Sequence, residues 1–312
     1  MIVHEGDYRS WVFDEPRSAV SVGVYDGVHR GHQAVIEALG DGGDPVVVVT
    51  FARHPATIVA PSAAPLLLTS VEHRIELLAG YGADHVALLD FDDRMRRLAP
   101  EVFVEDVLVD VFRARRVAVG SGFRFGFGLR GDVPLLKSEG ERHDFVVSDV
   151  PILVDGEPVR STAIRQALGS GNVERAATLL GRPFQLRAFV VEGDHRGREL
   201  GFPTANLEIA AMLARPKRGV YAAMAGEQAV NRPAVVNVGV RPTVDGSREL
   251  VEVHLLDGDA DLCGSELWVD FVARIRDERR FPSLAALTAQ ITDDAEQARS
   301  LLVGTGPAQR QG

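Results

Sequence analysis

The sequence predicts an α/β domain built on a parallel sheet, followed by a small antiparallel β-barrel with a C-terminal helix. Three observations carry this. In the first half, short apolar runs rich in β-branched residues alternate with stretches of helical spacing. Past Gly181, strand-like runs follow one another closely, separated by turn residues and no helix. From Ser283 to Leu302 the spacing becomes helical again. A chain of 312 residues exceeds what one ordinary core needs, so two domains are expected. The boundaries read as 1–181 and 182–303, leaving a Gly-, Pro- and Gln-rich tail at 304–312 that is expected to be disordered.

In the first half Ala19 to Val24, Val46 to Phe51, His85 to Leu89 and Val117 to Gly120 read as strands, because they are short and bounded by Gly, Pro or Asp. Gly31 to Leu39, Val71 to Gly80 and Pro100 to Arg113 read as helices, and Pro100 suits a first helical turn. Such alternation argues for a parallel sheet covered on both faces. In the second half the strands are Phe184 to Val191, Gly219 to Ala225, Ala234 to Val240, Leu250 to Leu256 and Leu267 to Ala273. Ser283 is placed to cap the last helix.

Composition narrows the function. Hydrophobic residues make up 46% and charged residues 25%, and no apolar run reaches the roughly 20 residues that span a bilayer, so a soluble protein is expected. The start, MIVHEGDYRS, lacks a basic segment followed by an apolar one, so no export is expected. Cys263 is the single cysteine, which leaves no internal disulfide or multi-cysteine zinc site and fits the cytoplasm. A net charge of −10 without a dense Lys/Arg block argues against nucleic acid. Small anions remain suitable ligands, because backbone amides and helix ends can hold phosphates in an acidic protein. Whether copies associate is left open.

The segment GVYDGVHRGHQAVI runs from a strand through a glycine turn into a helix. It sets His29 and His32 three residues apart at the helix start, where both can face one anion beside the positive end of the helix dipole. Asp26, Gly27 and Gly31 lie between and around them; the plainer reading is a pair of surface histidines on a turn. TFARHP, ending the next strand, would point His54 into the same crevice, or it is a histidine beside a proline turn. In RSTAIRQAL, Ser161 or Thr162 can cap a helix, and Arg165 one turn further can reach a phosphate held by those hydroxyls.

In the second half GDHRGRELGFPTANLE spaces Gly193, Gly197 and Gly201 four apart, then ends in Pro203, Thr204, Ala205 and Asn206. It is not a Walker A loop, since no Gly-Lys-Ser/Thr closes it. Its glycines would let backbone amides approach a nucleotide's phosphates, although a glycine turn in a barrel would look similar. Thr204 and Asn206 offer oxygens of the kind magnesium accepts.

Together these motifs resemble the bacterial bifunctional riboflavin kinase/FAD synthetases. The HxGH element at His29 to His32, TFxxHP around His54, STxIR at Ser161 to Arg165, RFGFGLRGD at Arg124 to Asp132 and LLGRPF at Leu179 to Phe184 match in order. So do GFPTAN, RGVY at Arg218 to Tyr221, NVGVRPT at Asn237 to Thr243 and VEVHLLD at Val251 to Asp257. The resemblance implies a Rossmann-like nucleotidyltransferase domain that adenylylates FMN, then a riboflavin kinase barrel, each using ATP with magnesium. It implies ATP contacts from Gly23, Tyr25, Asp26, His29, His32, His54, Ser161, Thr162 and Arg165, and flavin contacts from Gly122, Phe123 and Phe125. In the kinase it implies ATP contacts from Gly193, Gly197, Gly201, Phe202, Pro203, Thr204 and Asn206, with metal at Thr204 and Asn206. Glu252 corresponds to the general base; by pattern alone it is an outward residue of an alternating strand.

Tyr25, Arg53 and Arg160 replace the family's usual Phe, Pro and Ser without deleting a group the chemistry requires. Gly122 stands where the family has Asp or Asn against the flavin. This opens a second reading, a riboflavin kinase whose first domain has lost or changed its flavin. A non-catalytic flavin or nucleotide sensor is the third, and the phosphate-handling residues in both halves speak against it.

Overall fold

The computed structural model describes residues 1–40, 42–154, 156–193, 201–227, 231–243, 246–258 and 262–303, with the side chains of 241–243 and 246–249 excepted. These residues form two compact units, Met1–Ser161 and a second beginning at Thr162.

In the first unit, six strands make one parallel sheet: β1 (Ile2–Gly6), β2 (Ser18–Val22), β3 (Val46–Phe51), β4 (His85–Leu89), β5 (Ala114–Gly120) and β6 (Val146–Val150). Their order is β1-β4-β3-β2-β5-β6. Every residue of β2 and β4 is buried, as a parallel sheet covered on both faces requires. One face packs Val20, Val47, Val49 and Val117 against Phe103, Val107 and Leu108. The other packs Ala19, Val46, Val48 and Val86 against Val35, Ile36, Leu39 and Leu78. The covering helices are α1 (Arg30–Gly40), α2 (Ala56–Val59), α3 (Val71–Gly80), α4 (Asp93–Arg96), α5 (Pro100–Phe103, running on in π form over Val104–Val111) and α6 (Val133–His143). From β2 the chain moves outward to β3 on one side, while β5 pairs on the other. The strand order therefore reverses between β2 and β5, and a crevice opens beyond their carboxyl ends.

The strands expected from the sequence all form, with ends shifted by a few residues. Two strands of the six-stranded sheet were not expected, β1 and β6, and both are edges with largely exposed faces. A two-residue hairpin, β7 (Leu153–Val154) and β8 (Glu157–Pro158), completes the unit.

The second unit opens with α7 (Ser161–Ser170) and α8 (Val173–Leu180), then β9 (Phe184–Val191), β10 (Ala205–Glu208), β11 (Gly219–Gly226), β12 (Arg232–Thr243), β13 (Gly246–Leu255) and β14 (Glu266–Arg276). The six strands close an antiparallel barrel in the order β10-β13-β12-β11-β14-β9. Strand β10 was not expected, because the glycine- and proline-rich text around it hides a four-residue strand. The expected boundary at 181 counts α7 and α8 with the first half, whereas both fall in the second compact unit. The reason is packing: α8 lies against β9 and β14, and Lys217 N–H donates to Leu168 O at 2.8 Å.

Tyr221, Phe184 and Phe271 fill the barrel interior, with Tyr221 edge-on to Phe271 at 5.4 Å between centroids. The other face of β11 presents Val220 and Ala222 to the last helix, α9 (Leu284–Leu302), through Ala298 and Leu302. Both faces of β11 are buried for this reason. Ser283 caps α9 as expected, accepting from Ala286 N–H at 3.2 Å. Asp294 of α9, 2% exposed, receives Arg276 through Nε at 2.9 Å and Nη2 at 2.7 Å, so a two-pronged ion pair ties the helix to β14. The tail expected at 304–312 lies outside the described residues.

Where β1 meets β4, His4 Nε2 lies 3.1 Å from His85 Nδ1 with the rings stacked, and Phe13 packs edge-on to His85. Burial, and then the neighbouring ring, holds the His4 imidazole below its usual 6.5; burial does the same to His85. Such groups bind fewer protons folded than unfolded. Their contribution to stability is complete above pH 6.5 and is lost as the pH falls through the lower folded values. The denaturant midpoint of the first unit is therefore expected to drop between about pH 7.5 and about pH 5, and less steeply in His4→Phe. An unchanged slope in that variant would remove the histidine pair from the explanation.

Candidate active sites

The crevice at the strand reversal holds a cavity of ≈ 830 Å³. Its floor is the end of β2 and the turn into α1, with Gly23, Tyr25, His29 and His32. The end of β5 supplies Gly122, Phe123 and Phe125, and Arg160 and Ser161 close one side. His29 is 3% exposed, and its ring stacks on His32 with centroids 3.6 Å apart and planes at 13°. His32 in turn lies 4.7 Å from the Tyr25 ring. The His32 backbone N–H donates to His29 O at 2.7 Å and also lies 3.3 Å from His29 Nδ1. Both imidazoles thus stand at the amino end of α1, beside its positive dipole.

This arrangement depends on a turn held in an unfavourable shape. Tyr25 and Val28 adopt φ of 54° and 38°, with Gly27 at 82° between them. The left-handed region costs a non-glycine residue about 1–2 kcal/mol, so the surroundings must impose it. They do so from every side. Asp26, 1% exposed, accepts Leu68 N–H at 2.8 Å and Thr69 N–H at 3.3 Å on Oδ1. Buried Arg74 donates to the carbonyls of Val24 and Phe51, and Thr50 Oγ1 donates to Val24 O at 2.9 Å. Gln33 Nε2 holds Val28 O at 2.8 Å, and Ser161 Oγ holds Asp26 O at 3.0 Å. Ser21 gives its proton to Ala118 O, so the Tyr25 hydroxyl donates to Ser21 Oγ. Burial pushes the Tyr25 phenol far above its usual 10, keeping it neutral.

Asp26, expected among the nucleotide contacts, does not line the cavity, and its Oδ1 accepts from the 68–69 backbone. His54 also stands off the lining. Pro55 and Ala56 line the cavity and His54 does not; its Nδ1 accepts Ala56 N–H at 3.1 Å. Thr162 and Arg165 lie in α7, within the second unit, exposed and half-buried respectively. The sequence reading also missed the apolar walls Phe51, Phe91, Met95, Leu98 and Phe103, which look like ordinary core until the fold gathers them.

The second cavity, ≈ 400 Å³, lies on the outer face of the barrel beside the first half of α9. Glu252 lines it, with Asn237 directly opposite on β12 and Asn206 directly opposite on β10. Asn237 Nδ2 donates to Glu252 Oε2 at 3.2 Å, which orients the carboxylate. Phe202 and Thr204 also line the cavity, whereas Gly193, Gly201, Pro203 and Asn206 do not. Gly193 backs onto Asn206, since a Cβ there would come within 1.9 Å of Asn206 Nδ2. Gly197 lies outside the described residues. Asn237, His254, Arg276, Arg279 and Phe281 complete the wall without having been singled out. Only strand register, invisible in a single sequence, aligns Asn237 with Glu252.

Fold and cavities define a two-domain transferase acting on phosphates: a parallel α/β unit with paired histidines at a helix start, and a barrel with an oriented carboxylate. The FAD synthetase family model matches residues 13–163 and the riboflavin kinase family model residues 180–302. The bifunctional riboflavin kinase/FMN adenylyltransferase of Escherichia coli (strain K12) is 40% identical over 297 residues, covering 93% of this chain and 94% of that one. That of Pseudomonas fluorescens is 38% identical, covering 92% and 94%. A crystal structure from Streptococcus pneumoniae, named as a macrolide-efflux protein, matches with a TM-score of 0.87 at 30% identity, covering 96% of this chain and 99% of that one. Among the described residues no helix is long and apolar enough to cross a membrane. The chain belongs to the bifunctional riboflavin kinase/FMN adenylyltransferase family.

Gly31, between the histidines, is fixed by packing. A Cβ there would lie 1.8 Å from Ile152 Cγ2, and one at Gly120 would lie 2.0 Å from Ile152 Cδ1. Gly31→Ala is expected to cost about 1–3 kcal/mol by overpacking. Ile152→Ala should offset part of that, so that a denaturant double-mutant cycle shows favourable coupling. Purely additive costs would mean that Ile152 is not what constrains Gly31.

Proposed function

We propose that this chain carries out two ATP-dependent reactions on a flavin, phosphorylating riboflavin to FMN and adenylylating FMN to FAD. The observation that carries the reading is the pairing, in one chain, of both family spans with a cavity in each unit that carries polar and ionisable side chains. It favours the bifunctional reading over a kinase alone. We assign the adenylyl transfer to 1–181 and the kinase to 182–303. The single cysteine, Cys263, supports a cytoplasmic setting.

In adenylyl transfer, an oxygen of the FMN phosphate attacks the α-phosphorus of ATP, and the bond from that phosphorus to pyrophosphate breaks. No covalent enzyme intermediate is required. His29, His32 and the amides at the start of α1 balance the charge that builds on the α-phosphate, and Ser161 at the side of the cavity serves the same nucleotide. Phe123 and Phe125, stacked at 5.3 Å between centroids, offer an aromatic surface to the flavin. In the kinase, the ribityl 5′-oxygen attacks the γ-phosphorus, Glu252 takes the hydroxyl proton, and the bond to the departing ADP oxygen breaks.

Thr204, on the cavity wall, and Asn206, cross-strand to Glu252, would hold magnesium through neutral oxygens, whose chemistry suits a hard cation that keeps water and phosphate as its other ligands. When bound, the ion would neutralise charge on the transferred phosphoryl group.

His32→Ala is expected to lose FAD formation while still making FMN. Glu252→Ala should lower FMN formation by about 10²–10⁴-fold while still adenylylating supplied FMN. Chromatography of products from riboflavin and from FMN checks both. Equal damage to the two activities in a folded variant would defeat the division of labour. Gly122 offers a finer test, because its φ of 84° suits Asn and a Cβ there meets nothing within 4 Å. Gly122→Asn should fold with a penalty of about 1–2 kcal/mol and lower the KM for FMN, leaving that for ATP unchanged. A shift in the ATP value instead would move Gly122 out of the flavin site.

A further inference from the structure

His254 has no part in the chemistry above, yet it lies two residues past Glu252 on β13 and lines the same cavity. Its Nδ1 is 2.8 Å from the carbonyl oxygen of Pro203. A carbonyl only accepts, so Nδ1 carries the proton. The Phe202 ring stands edge-on to the imidazole, 5.5 Å between centroids and 78° between planes. The backbone pairing of β10 with β13 begins only at Ala205 opposite Val253. Residues 202–204 therefore precede the ladder, and His254 reaches across to fix them: one bond to the carbonyl before Thr204, one ring contact to Phe202.

Resting on the kinase reading, we propose that His254 is a positioning residue for nucleotide binding. By anchoring the Pro203 carbonyl through Nδ1–H, it sets the turn entering β10 and so presents Thr204 and Asn206 to the magnesium triphosphate. Thr204 shares its cavity with Glu252, and Asn206 is the cross-strand neighbour of Glu252, so a loosened entry would carry both oxygens away from the carboxylate's side. The expected signature is weaker nucleotide use with the proton-transfer step largely intact.

Two conservative variants separate this from other roles. The amide nitrogen of His254→Asn falls near the place of Nδ1, whereas that of His254→Gln falls near Nε2. FMN formation is measured with ATP, magnesium and riboflavin varied in turn. His254→Gln is expected to raise the KM for ATP about tenfold, the loss of one well-placed hydrogen bond, with little change in kcat or in the KM for riboflavin. His254→Asn should stay within about threefold of the unaltered chain. Rescue by Gln and not Asn would make Nε2 a substrate contact and overturn the proposal, as would equal behaviour of the two or a fall in kcat alone. A second measurement needs neither variant nor substrate: nitrogen-15 shifts of the His254 ring should report the Nδ1–H tautomer, and the Nε2–H tautomer would overturn it. If the unaltered chain makes no FMN, the kinase reading itself fails; FMN formation with indifferent variants defeats the His254 role alone.

Discussion

The first unit depends on one constraint, the left-handed turn from Tyr25 to Val28 that delivers two histidines to the start of α1. Left alone, such a turn would relax, because Tyr25 and Val28 each have a better backbone conformation available. It persists because buried polar groups from four other segments close on it. Arg74 is among these, donating to two backbone carbonyls, and the turn's own Asp26 is held in place by the 68–69 amides. The strain and the buried charges are thus two parts of one device. The charges hold the turn, and the turn brings the stacked rings to the cavity floor.

The second unit solves a similar problem without strain. Its barrel is filled by Tyr221, Phe184 and Phe271, which leaves the outer face of β13 free to carry polar groups. Antiparallel register then sets Asn206, Glu252 and Asn237 in a row across three strands. Neighbouring positions in such a row lie about 5 Å apart, within reach of one ligand. The helix α9 walls the cavity and is itself secured by Asp294 on Arg276. A small core and a surface site therefore share strands without competing for side chains.

Much of this is legible in the residues. Val46 to Phe51 and His85 to Leu89 announce themselves as buried strands because parallel sheets demand continuous apolar runs. Ile2–Gly6 and Val146–Val150 do not, since an edge strand with solvent on its faces has no such requirement. The His29, His32 pair could be read from spacing, because one helical turn puts both on one side. Asp26 could not. A carboxylate in a phosphate motif looks like a ligand contact until the 68–69 backbone, about forty positions away, is seen to occupy it. Nor could the cause of Gly31 be read locally, since it is the Ile152 side chain, far along the chain.

By itself the sequence determined the two fold classes, the family and the residue types at both sites, because periodicity, turn chemistry and motif order are local properties. Tertiary structure alone decided which of those residues face a cavity and which hold the frame. It turned Asp26 inward, left Pro55 and Ala56 rather than His54 on the cavity wall, and joined Asn237 to Glu252 and His254 to Pro203. The reason is that burial and hydrogen-bond partnership depend on segments far apart along the chain, and no local pattern encodes the distance between them.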